Sequence, residues 1–204
     1  MNTIGLTGGI GMGKSTAASL LKERGLPVID TDLLARELVE PGQPAWEEIR
    51  RLFGPDILDA NGQLRRSELG RRVFSDPARR KQLEAILHPR IRQRWLAQVE
   101  VWRAEKQSSC VVVIPLLFET HAAASFDTII CIACSPASQR ERLLARGWSI
   151  EQLEQRLQAQ WPIEKKIALA HFIIWTEAGL DVHVQQVERI LQAMLADHQQ
   201  IGSV

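Results

Sequence analysis

The amino-acid sequence of 204 residues is poor in cysteine, in long apolar segments and in any excess of charge of one sign. Its longest apolar run, residues 110–118, has nine residues and contains Pro115, whereas a helix needs about 20 residues to cross a bilayer. The 25 Lys and Arg residues nearly balance 24 Asp and Glu residues, for a formal net charge of +1. We therefore predict neither a membrane protein nor a protein that binds nucleic acid through a generally basic surface.

Three cysteines, Cys110, Cys131 and Cys134, are too few and odd in number for a disulfide framework. Cys131 and Cys134 match the C-x-x-C spacing of zinc and redox sites, but they lie in an apolar run where residues three apart face opposite sides of a strand. No second Cys or His pair has matching spacing. We predict buried, reduced thiols and a cytoplasmic protein, because the chain also lacks a basic residue before Lys14, as a secretory signal would need.

Short apolar runs alternate with helical periodicity at the start of the chain and again after residue 108. The predicted elements are strands at 2–7, 27–30, 110–114, 127–133 and 172–175, and helices at 14–24, 32–39 and 181–198. The strands at 110–114 and 127–133 are continuously apolar, which is typical of strands covered by helices on both faces. The alternation predicts an α/β fold with a parallel β-sheet flanked by helices.

A different pattern fills the region from about residue 46 to 106, where strand signals disappear. Helical segments are separated there by turn residues, and Ser75 followed by Pro77 predicts a capped helix start. The predicted breaks are Gly54-Pro55, Asn61-Gly62, Ser75-Asp76-Pro77 and His88-Pro89. Residues 65–94 carry ten basic and three acidic side chains, a local excess of +7. We predict a helical insertion.

Residues 8–15 match the phosphate-loop motif G-x-x-x-x-G-K-[ST] in full, between a predicted buried strand and a predicted amphipathic helix. The glycines allow the backbone to fold around phosphates with its N–H groups pointing inward, at the positive end of a helix. Lys14 would bridge the β- and γ-phosphates, and Ser15 would ligate Mg²⁺. The motif predicts nucleotide binding, but by itself it does not separate a kinase from an ATPase or a GTPase.

Two of these alternatives lack the further motifs that they need. Asp59-Ala60-Asn61-Gly62 matches the D-x-x-G switch of a GTPase, but it lies in a polar turn of the helical region, and no N/T-K-x-D motif follows. We interpret it as a hairpin or helix-linking turn. A motor ATPase would place an acid at the end of a buried strand, and residues 111–114 end without one. The sequence therefore favours neither a GTPase nor a motor ATPase.

Kinase chemistry requires a group that accepts a proton from the acceptor hydroxyl. Asp30 and Asp32 follow the second predicted strand, at the edge of the sheet where ligands bind in open α/β folds. A carboxylate there would orient the hydroxyl and take its proton as the bond to phosphorus forms. The alternative for either residue is that it caps the following helix.

A lid that neutralises the transferring phosphoryl group is the second requirement. Two helices predicted after residue 134 begin at Ser135-Pro136 and at the capping box of Ser149. They carry Arg140, Arg142, Arg146, Arg156, Lys165 and Lys166. Because Arg142 and Arg146 are four residues apart, they share a helix face. The alternative is a solvated basic face paired with Glu141 or Glu154.

Five blocks of the chain together resemble the dephospho-CoA kinase family. They are residues 6–16, residues 28–32 with Ala35-Arg36, residues 88–92, residues 115–119, and Ser135-Pro136 with Gln139, Arg140 and Arg142. The Asp-x-Asp, His-Pro-x-Ile-Arg and Pro-Leu-Leu-Phe-Glu sequences in these blocks are more specific than the phosphate loop. The resemblance implies ATP- and Mg²⁺-dependent phosphorylation of the ribose 3′-hydroxyl of dephospho-CoA, which gives CoA and ADP. It implies a small-molecule substrate and no nucleic-acid or membrane partner, and it leaves the oligomeric state open.

The same resemblance implies three domains and a set of site residues. The expected domains are a nucleotide core of residues 1–31, 108–138 and 170–204, a helical CoA-binding domain of residues 32–107, and a lid of residues 139–169. Asp32 resembles the general base, Lys14 the phosphate clamp and Arg142 a lid residue that stabilises the transition state. The expected nucleotide contacts are Gly9, Ile10, Gly11, Met12, Gly13, Lys14, Ser15, Thr16 and Arg146, with Ser15 also on Mg²⁺. The expected substrate contacts are Asp30, Asp32, Arg36, His88, Arg90, Arg92, Leu117 and Glu119.

The chain also departs from the family pattern. Met12 replaces a common Ser, Thr31 a common Ala, and Val113 an Asp found in many members, so Mg²⁺ would depend on Ser15, phosphates, water and either Asp32 or Glu119. Residues 170–179 lack the usual Ala-Asp start and the Asn before a Gly, so the adenine contacts are not predicted. A nucleoside or nucleotide kinase and a nucleotide-binding regulatory module without turnover remain as alternatives.

Overall fold

The structure, a computed structural model, describes residues 1–201, with side chains up to residue 196. Residues 202–204 of the predicted core lie outside the described part. The chain divides into a core unit, residues 1–29 with residues from Lys106 onward, and a helical unit, residues Asp30–Glu105. The core unit contains β1 (Asn2–Gly8), α1 (Lys14–Glu23), β3 (Ser109–Val113), β4 (Thr128–Ala133), α6 (Pro136–Ala145), α7 (Ile150–Gln158), α8 (Ile163–Leu169), β5 (Phe172–Trp175) and α9 (Leu180–Ile201). Strand β2 (Val28–Asp30) ends at the first residue of the helical unit. The helical unit contains α2 (Thr31–Leu38), α3 (Pro44–Phe53), α4 (Arg66–Phe74) and α5 (Pro77–Ala104).

The core unit is built on a five-stranded parallel sheet in the order β2-β3-β1-β4-β5. β1 lies between β3 and β4, with Ile4 opposite both Val111 and Thr128. Every residue of β1 and β4 is buried. β3 is buried after Ser109, so the two strands predicted to be covered on both faces, β3 and β4, are confirmed as buried. Helices α1 and α9 cover the sheet through buried side chains such as Leu21 and Ile190. The α/β prediction is confirmed, and no predicted strand limit differs from the observed one by more than one residue.

All three thiols are free and fully buried, as predicted. Burial raises the pKa of the Cys131 thiol to about 11, against a smaller opposing effect of Lys166 and Lys14. In the part of the chain that the structure describes, no helix is long and apolar enough to cross a bilayer.

The region predicted to be helical, residues 46–106, contains most of α3 and all of α4 and α5. The predicted break at His88-Pro89 is wrong, because α5 continues through Pro89 from Pro77 to Ala104. Proline in a helix interior costs roughly 3 kcal/mol. Packing on both sides of the proline offsets this cost, with Leu83 packed on the cluster around Ile49 before it and Trp95 buried after it. Tertiary contacts therefore override the local signal.

The predicted cap of α5 is shifted by one residue. Asp76, not Ser75, precedes Pro77 at the first helical position, and its carboxylate accepts from the N–H groups of Ala78 and Arg79. Ser75 instead ends α4, where its hydroxyl donates to Arg71 O at 2.9 Å. A proline at the first helical position makes the residue directly before it the cap, which is the rule that identifies Asp76.

Two smaller interpretations can also be compared with the structure. The Asp59–Gly62 segment is a turn in which Asp59 Oδ1 accepts from Asn61 N and Gln63 N, between bridged residues Leu58 and Leu64. The hairpin interpretation is confirmed. Lys165 and Lys166 do not belong to the second predicted lid helix, because that helix ends at Gln158 and both lysines lie on α8.

Candidate active site

The phosphate loop joins β1 to α1 through backbone positions that only glycine occupies without strain. Gly8 has φ +143°, and a Cβ atom there would lie 2.2 Å from Ile132 O of the neighbouring strand. Gly13 has φ +97° at the N-cap of α1 and offers no side chain to its N–H groups. The first N–H groups of α1 are therefore natural donors to an anion.

Lys14 folds back over this loop. Its Nζ donates to Gly8 O at 3.0 Å and to Gly9 O at 2.8 Å. The ammonium group therefore lies at the start of the loop, where it can bridge phosphate oxygens from a position fixed by two carbonyl groups. Ser15 and Thr16 follow on the exposed side of the first turn of α1.

The residues around the loop fit a nucleotide with Mg²⁺. Mg²⁺ in kinases usually has one or two protein ligands, and phosphate oxygens and water supply the rest. Ser15 provides an exposed hydroxyl at the helix start. Among the described residues, no group of three or more His, Cys, Asp or Glu side chains could hold a metal by itself. The donor set thus suits a metal held largely by the nucleotide.

Thr176 links the loop to α6 and to the sheet. Its hydroxyl donates to Met12 O at 2.9 Å, and its backbone N–H donates to Ala133 O at 2.9 Å. Arg142 donates from Nη1 to the same hydroxyl at 2.9 Å and from Nη2 to Thr176 O. The structure therefore holds Arg142 on the strand-to-helix loop after β5, while Arg146 is exposed.

Met12 and His183 are buried in the same unit as this link. Met12 is 2% exposed, and its sulfur lies against Gly9, so the side chain fills space under the loop and the backbone remains available. His183 is also buried, its Nε2 has no hydrogen-bond partner among the described residues, and burial lowers its pKa. Its imidazole is consequently neutral near pH 7.

Two glutamines, which the sequence did not single out for the site, hold the peptide groups of Ile10. Gln160 Oε1 accepts from Ile10 N at 3.1 Å, and Gln139 Nε2 donates to Ile10 O at 2.7 Å. Gln139 belongs to the last of the five matched blocks, although no site role was predicted for it, and it lies four residues before Leu143 on the buried face of an amphipathic helix. Gln160 lies between α7 and α8 and carries no such signal.

Glu119 is held by a buried ion pair. Lys166 is 0% exposed, and its Nζ lies 2.7 Å from Glu119 Oε1 and 2.9 Å from Pro115 O. Trp161 N also donates to Glu119 Oε1 at 2.9 Å. Glu119 Oε2 is buried and accepts from no described group, so it is the oxygen with capacity for a ligand.

Leu117, from the same sequence block, has a fully buried side chain beside Gly5 of β1. The side chain fills the core, and any contact with a substrate would have to involve its backbone. The sequence pattern could not show this orientation, because the block lies in a loop without regular periodicity.

In the helical unit, Asp30 caps α2 by accepting from Asp32 N at 2.8 Å. The capping alternative is therefore correct for Asp30. Asp32 and Arg36 are exposed, and their separation of four places them on one face of α2. The structure thus presents the Asp32 carboxylate from the first turn of a helix.

The His88–Arg92 block lies in the middle of α5. Arg90 reaches Glu48 Oε1 from Nη2 and Ile86 O from Nη1, both at 2.6 Å. Arg92 lies over the Trp95 ring at 5.9 Å from its centroid. His88 is half-buried, and burial lowers its pKa, so this residue is neutral near pH 7. The roles of these residues toward a substrate stay predictions.

The parallel sheet with a phosphate loop after its central strand is the fold of the P-loop kinases. A solved structure of TT1252 from Thermus thermophilus is 38% identical, with a TM-score of 0.78 over 96% of this chain and 97% of that chain. Dephospho-CoA kinase from Campylobacter jejuni is 28% identical, with a TM-score of 0.70 over 95% of this chain and 96% of that chain. A gluconokinase from Sinorhizobium meliloti, at 17% identity and a TM-score of 0.52, shares the fold.

Residues 2–181 match the family described as dephospho-CoA kinase. A dephospho-CoA kinase of Bdellovibrio bacteriovorus is 38% identical over 192 residues, which cover 94% of this chain and 96% of that protein. One of Bacillus cereus is 40% identical over 190 residues, 93% of this chain and 95% of that protein. The chain is a kinase and belongs to the dephospho-CoA kinase family.

Proposed function

We propose that this kinase transfers the γ-phosphoryl group of ATP to the ribose 3′-hydroxyl of dephospho-CoA and produces CoA and ADP in the cytoplasm. The observation that carries the proposal is the intact phosphate loop, with Lys14 seated on Gly8 O and Gly9 O, in a chain that matches this family over residues 2–181. The free thiols are compatible with a reducing compartment.

Residues 9–16 would bind the triphosphate through Lys14 Nζ and through loop N–H groups other than that of Ile10, which donates to Gln160 Oε1. Mg²⁺, when bound through Ser15 and the phosphates, would neutralise charge that develops on the phosphoryl oxygens. Lys14 would hold the β- and γ-phosphates in line with the acceptor. The chain itself thus contributes position and positive charge, which supply most of the catalysis in phosphoryl transfer.

Asp32 is the proposed general base. As the ribose oxygen forms its bond to phosphorus and the bond to the ADP oxygen breaks, the hydroxyl proton would pass to the Asp32 carboxylate. Asp30 would keep the base in place, because its carboxylate already holds the backbone N–H of Asp32. Arg36, His88, Arg90, Arg92 and Glu119 are the proposed substrate contacts, with Glu119 acting through Oε2.

The basic helical unit suits an anionic substrate. Several of its arginines are already paired, as Arg71 and Arg72 are with Glu68. The excess of +7 over residues 65–94 already subtracts the three acids of that segment, so the positive charge is not cancelled locally. A substrate with a pyrophosphate group would be attracted to this field.

Replacing Arg142 with Ala is expected to lower kcat by about 10²–10³-fold, the cost of one preorganised donor to transition-state charge. Thr176 accepts from two of the five guanidinium N–H groups, and among the residues described with side chains the other three have no acceptor, so they are available to phosphate oxygens. Steady-state kinetics would measure the effect, with Arg189→Ala, an exposed arginine of α9, as the control. A lower melting temperature with unchanged kcat would show that Arg142 has only a structural role, in which it connects α6 to Thr176.

The proposed reaction is tested with purified protein, ATP and Mg²⁺ against a panel of acceptors that includes dephospho-CoA, nucleosides and nucleotides. We expect ADP and CoA in equal amounts with dephospho-CoA, and little product with the other acceptors. Phosphorylation of a nucleoside in place of dephospho-CoA would favour the nucleoside-kinase alternative. ATP binding with no transfer to any acceptor would favour a regulatory module.

A further inference from the structure

The peptide groups on both sides of Ile10, the third residue of the phosphate loop, are held by carboxamides from residues 139–169. Gln139 donates to Ile10 O, and Gln160 accepts from Ile10 N. These side chains come 129 and 150 residues later in the chain. Their convergence on one short stretch of the loop separates them from ordinary surface glutamines.

The two glutamines have different surroundings. Gln139 is 6% exposed on α6, beside buried Leu143, which lies against Gly11 of the loop. Gln139 therefore supports the loop from its buried side. Gln160 is only half-buried, lies outside a helix and is bonded to the loop through its oxygen alone.

The hydrogen bond to Ile10 fixes which way the Gln160 carboxamide points. An N–H group can be met only by the amide oxygen, so Oε1 lies on the loop and the two Nε2 hydrogens point elsewhere. Across the part of the chain described with side chains, Nε2 donates to no protein group. The side chain therefore presents two oriented donors beside the phosphate loop.

Lys14 identifies the phosphate that these donors would meet. Its Nζ lies on Gly8 O and Gly9 O, the residues directly before Ile10. The motif lysine bridges the β- and γ-phosphates, so Gln160 lies at the end of the loop that holds the transferable phosphate. A hydrogen bond from a neutral donor strengthens as negative charge collects on that group. A second cation would also do this, but it would attract the ADP product as well.

We propose that Gln160 is a further catalytic residue, whose Nε2 donates to an oxygen of the γ-phosphoryl group and thereby distinguishes a nucleoside triphosphate from a diphosphate. The proposal rests on the proposed kinase function for its chemistry. It requires only ATP and ADP for its binding test. Gln139 holds the loop through Ile10 O, whereas Gln160 holds it through Ile10 N and would also donate to the phosphate.

Gln160→Glu is the main test variant. One carboxylate oxygen can still accept from Ile10 N, but the donors are lost and a negative charge faces the phosphate. We expect kcat to fall about 10²–10³-fold, and the ratio of ATP to ADP affinity, measured by titration with Mg²⁺, to fall about 10- to 100-fold. Gln158→Glu, an exposed glutamine at the end of α7, should change neither.

Gln160→Met is the second variant, because it keeps the length of the side chain without adding charge. Its kcat should also fall, and its ADP affinity should stay near that of the unmodified protein. Equal loss of ATP and ADP affinity in both variants would show that Gln160 only shapes the loop and would overturn the proposal, as would unchanged kcat and affinity ratio. Failure of dephospho-CoA as the acceptor would instead refute the proposed function, since the affinity ratio is measured without an acceptor.

Discussion

The Asp32→Asn variant is expected to lose about 10²–10⁴-fold in kcat, the contribution attributed to a positioned general base. Asn has nearly the same shape but cannot take the proton of the acceptor hydroxyl at neutral pH. The exposed carboxylate lies in the first turn of α2, and Asp30 would still cap this helix through the unchanged Asp32 N–H. ATP affinity should therefore be preserved.

Steady-state kinetics and an ATP titration would separate the two effects. Glu37→Gln removes another exposed carboxylate from α2 and serves as the matched control. If Asp32→Asn retained the full kcat, proton transfer would have to involve another group, and Asp32 would lose its assigned role. A fall in ATP affinity of the same size as the fall in kcat would assign Asp32 to nucleotide binding instead.

The Lys166→Met variant is expected to lose about 3–5 kcal/mol of unfolding free energy, the usual cost of removing one partner from a buried ion pair. Lys166 is 0% exposed and the Glu119 side chain is 13% exposed, so water cannot replace the lost cation. Methionine fills much of the same volume. The loss therefore reports the unpaired carboxylate, and denaturant unfolding would measure it.

Lys165→Met is the control, because the same substitution is made one position earlier on α8 at an exposed side chain. Lys165 Nζ lies 3.4 Å from the centroid of the Trp161 ring, a contact worth about 0.5–1 kcal/mol at an exposed site. Adding Glu119→Gln to Lys166→Met should restore much of the stability, since no buried charge would then lack a partner. A loss under about 1 kcal/mol in Lys166→Met alone would place the pair with ordinary surface ion pairs.

The elements whose signals are local could be predicted from the sequence. The phosphate loop and its helix depend on Gly8, Gly13 and Lys14, which lie within seven consecutive residues. Strands β3 and β4 are continuous apolar runs, which require no knowledge of their partners. Pro89 shows the limit, because the helix through it is maintained by packing with residues distant in the sequence.

The candidate site was harder to predict from the sequence, because much of it is formed by residues that are distant along the chain. Ile10 and Gln160 are 150 residues apart, and Lys166 and Pro115 are 51 residues apart. A single polar residue on a helix or a loop has no pattern that names such a partner. Thr176 lies in the segment where the family pattern was departed from, and only the structure reveals its bond to the loop carbonyl of Met12.

The distribution of the thiols has a practical consequence for following the motions of this enzyme. Cys110, Cys131 and Cys134 are all in the core unit, and residues 30–105 contain no cysteine. All three are fully buried, so a thiol reagent in solution can reach these sulfur atoms only when the core opens around them. The rate of thiol labelling therefore measures opening of the core unit and is insensitive to opening of the helical unit. Tryptophan fluorescence would combine signals from both units, because three of the six tryptophans, Trp46, Trp95 and Trp102, lie in the helical unit and the other three lie in the core unit.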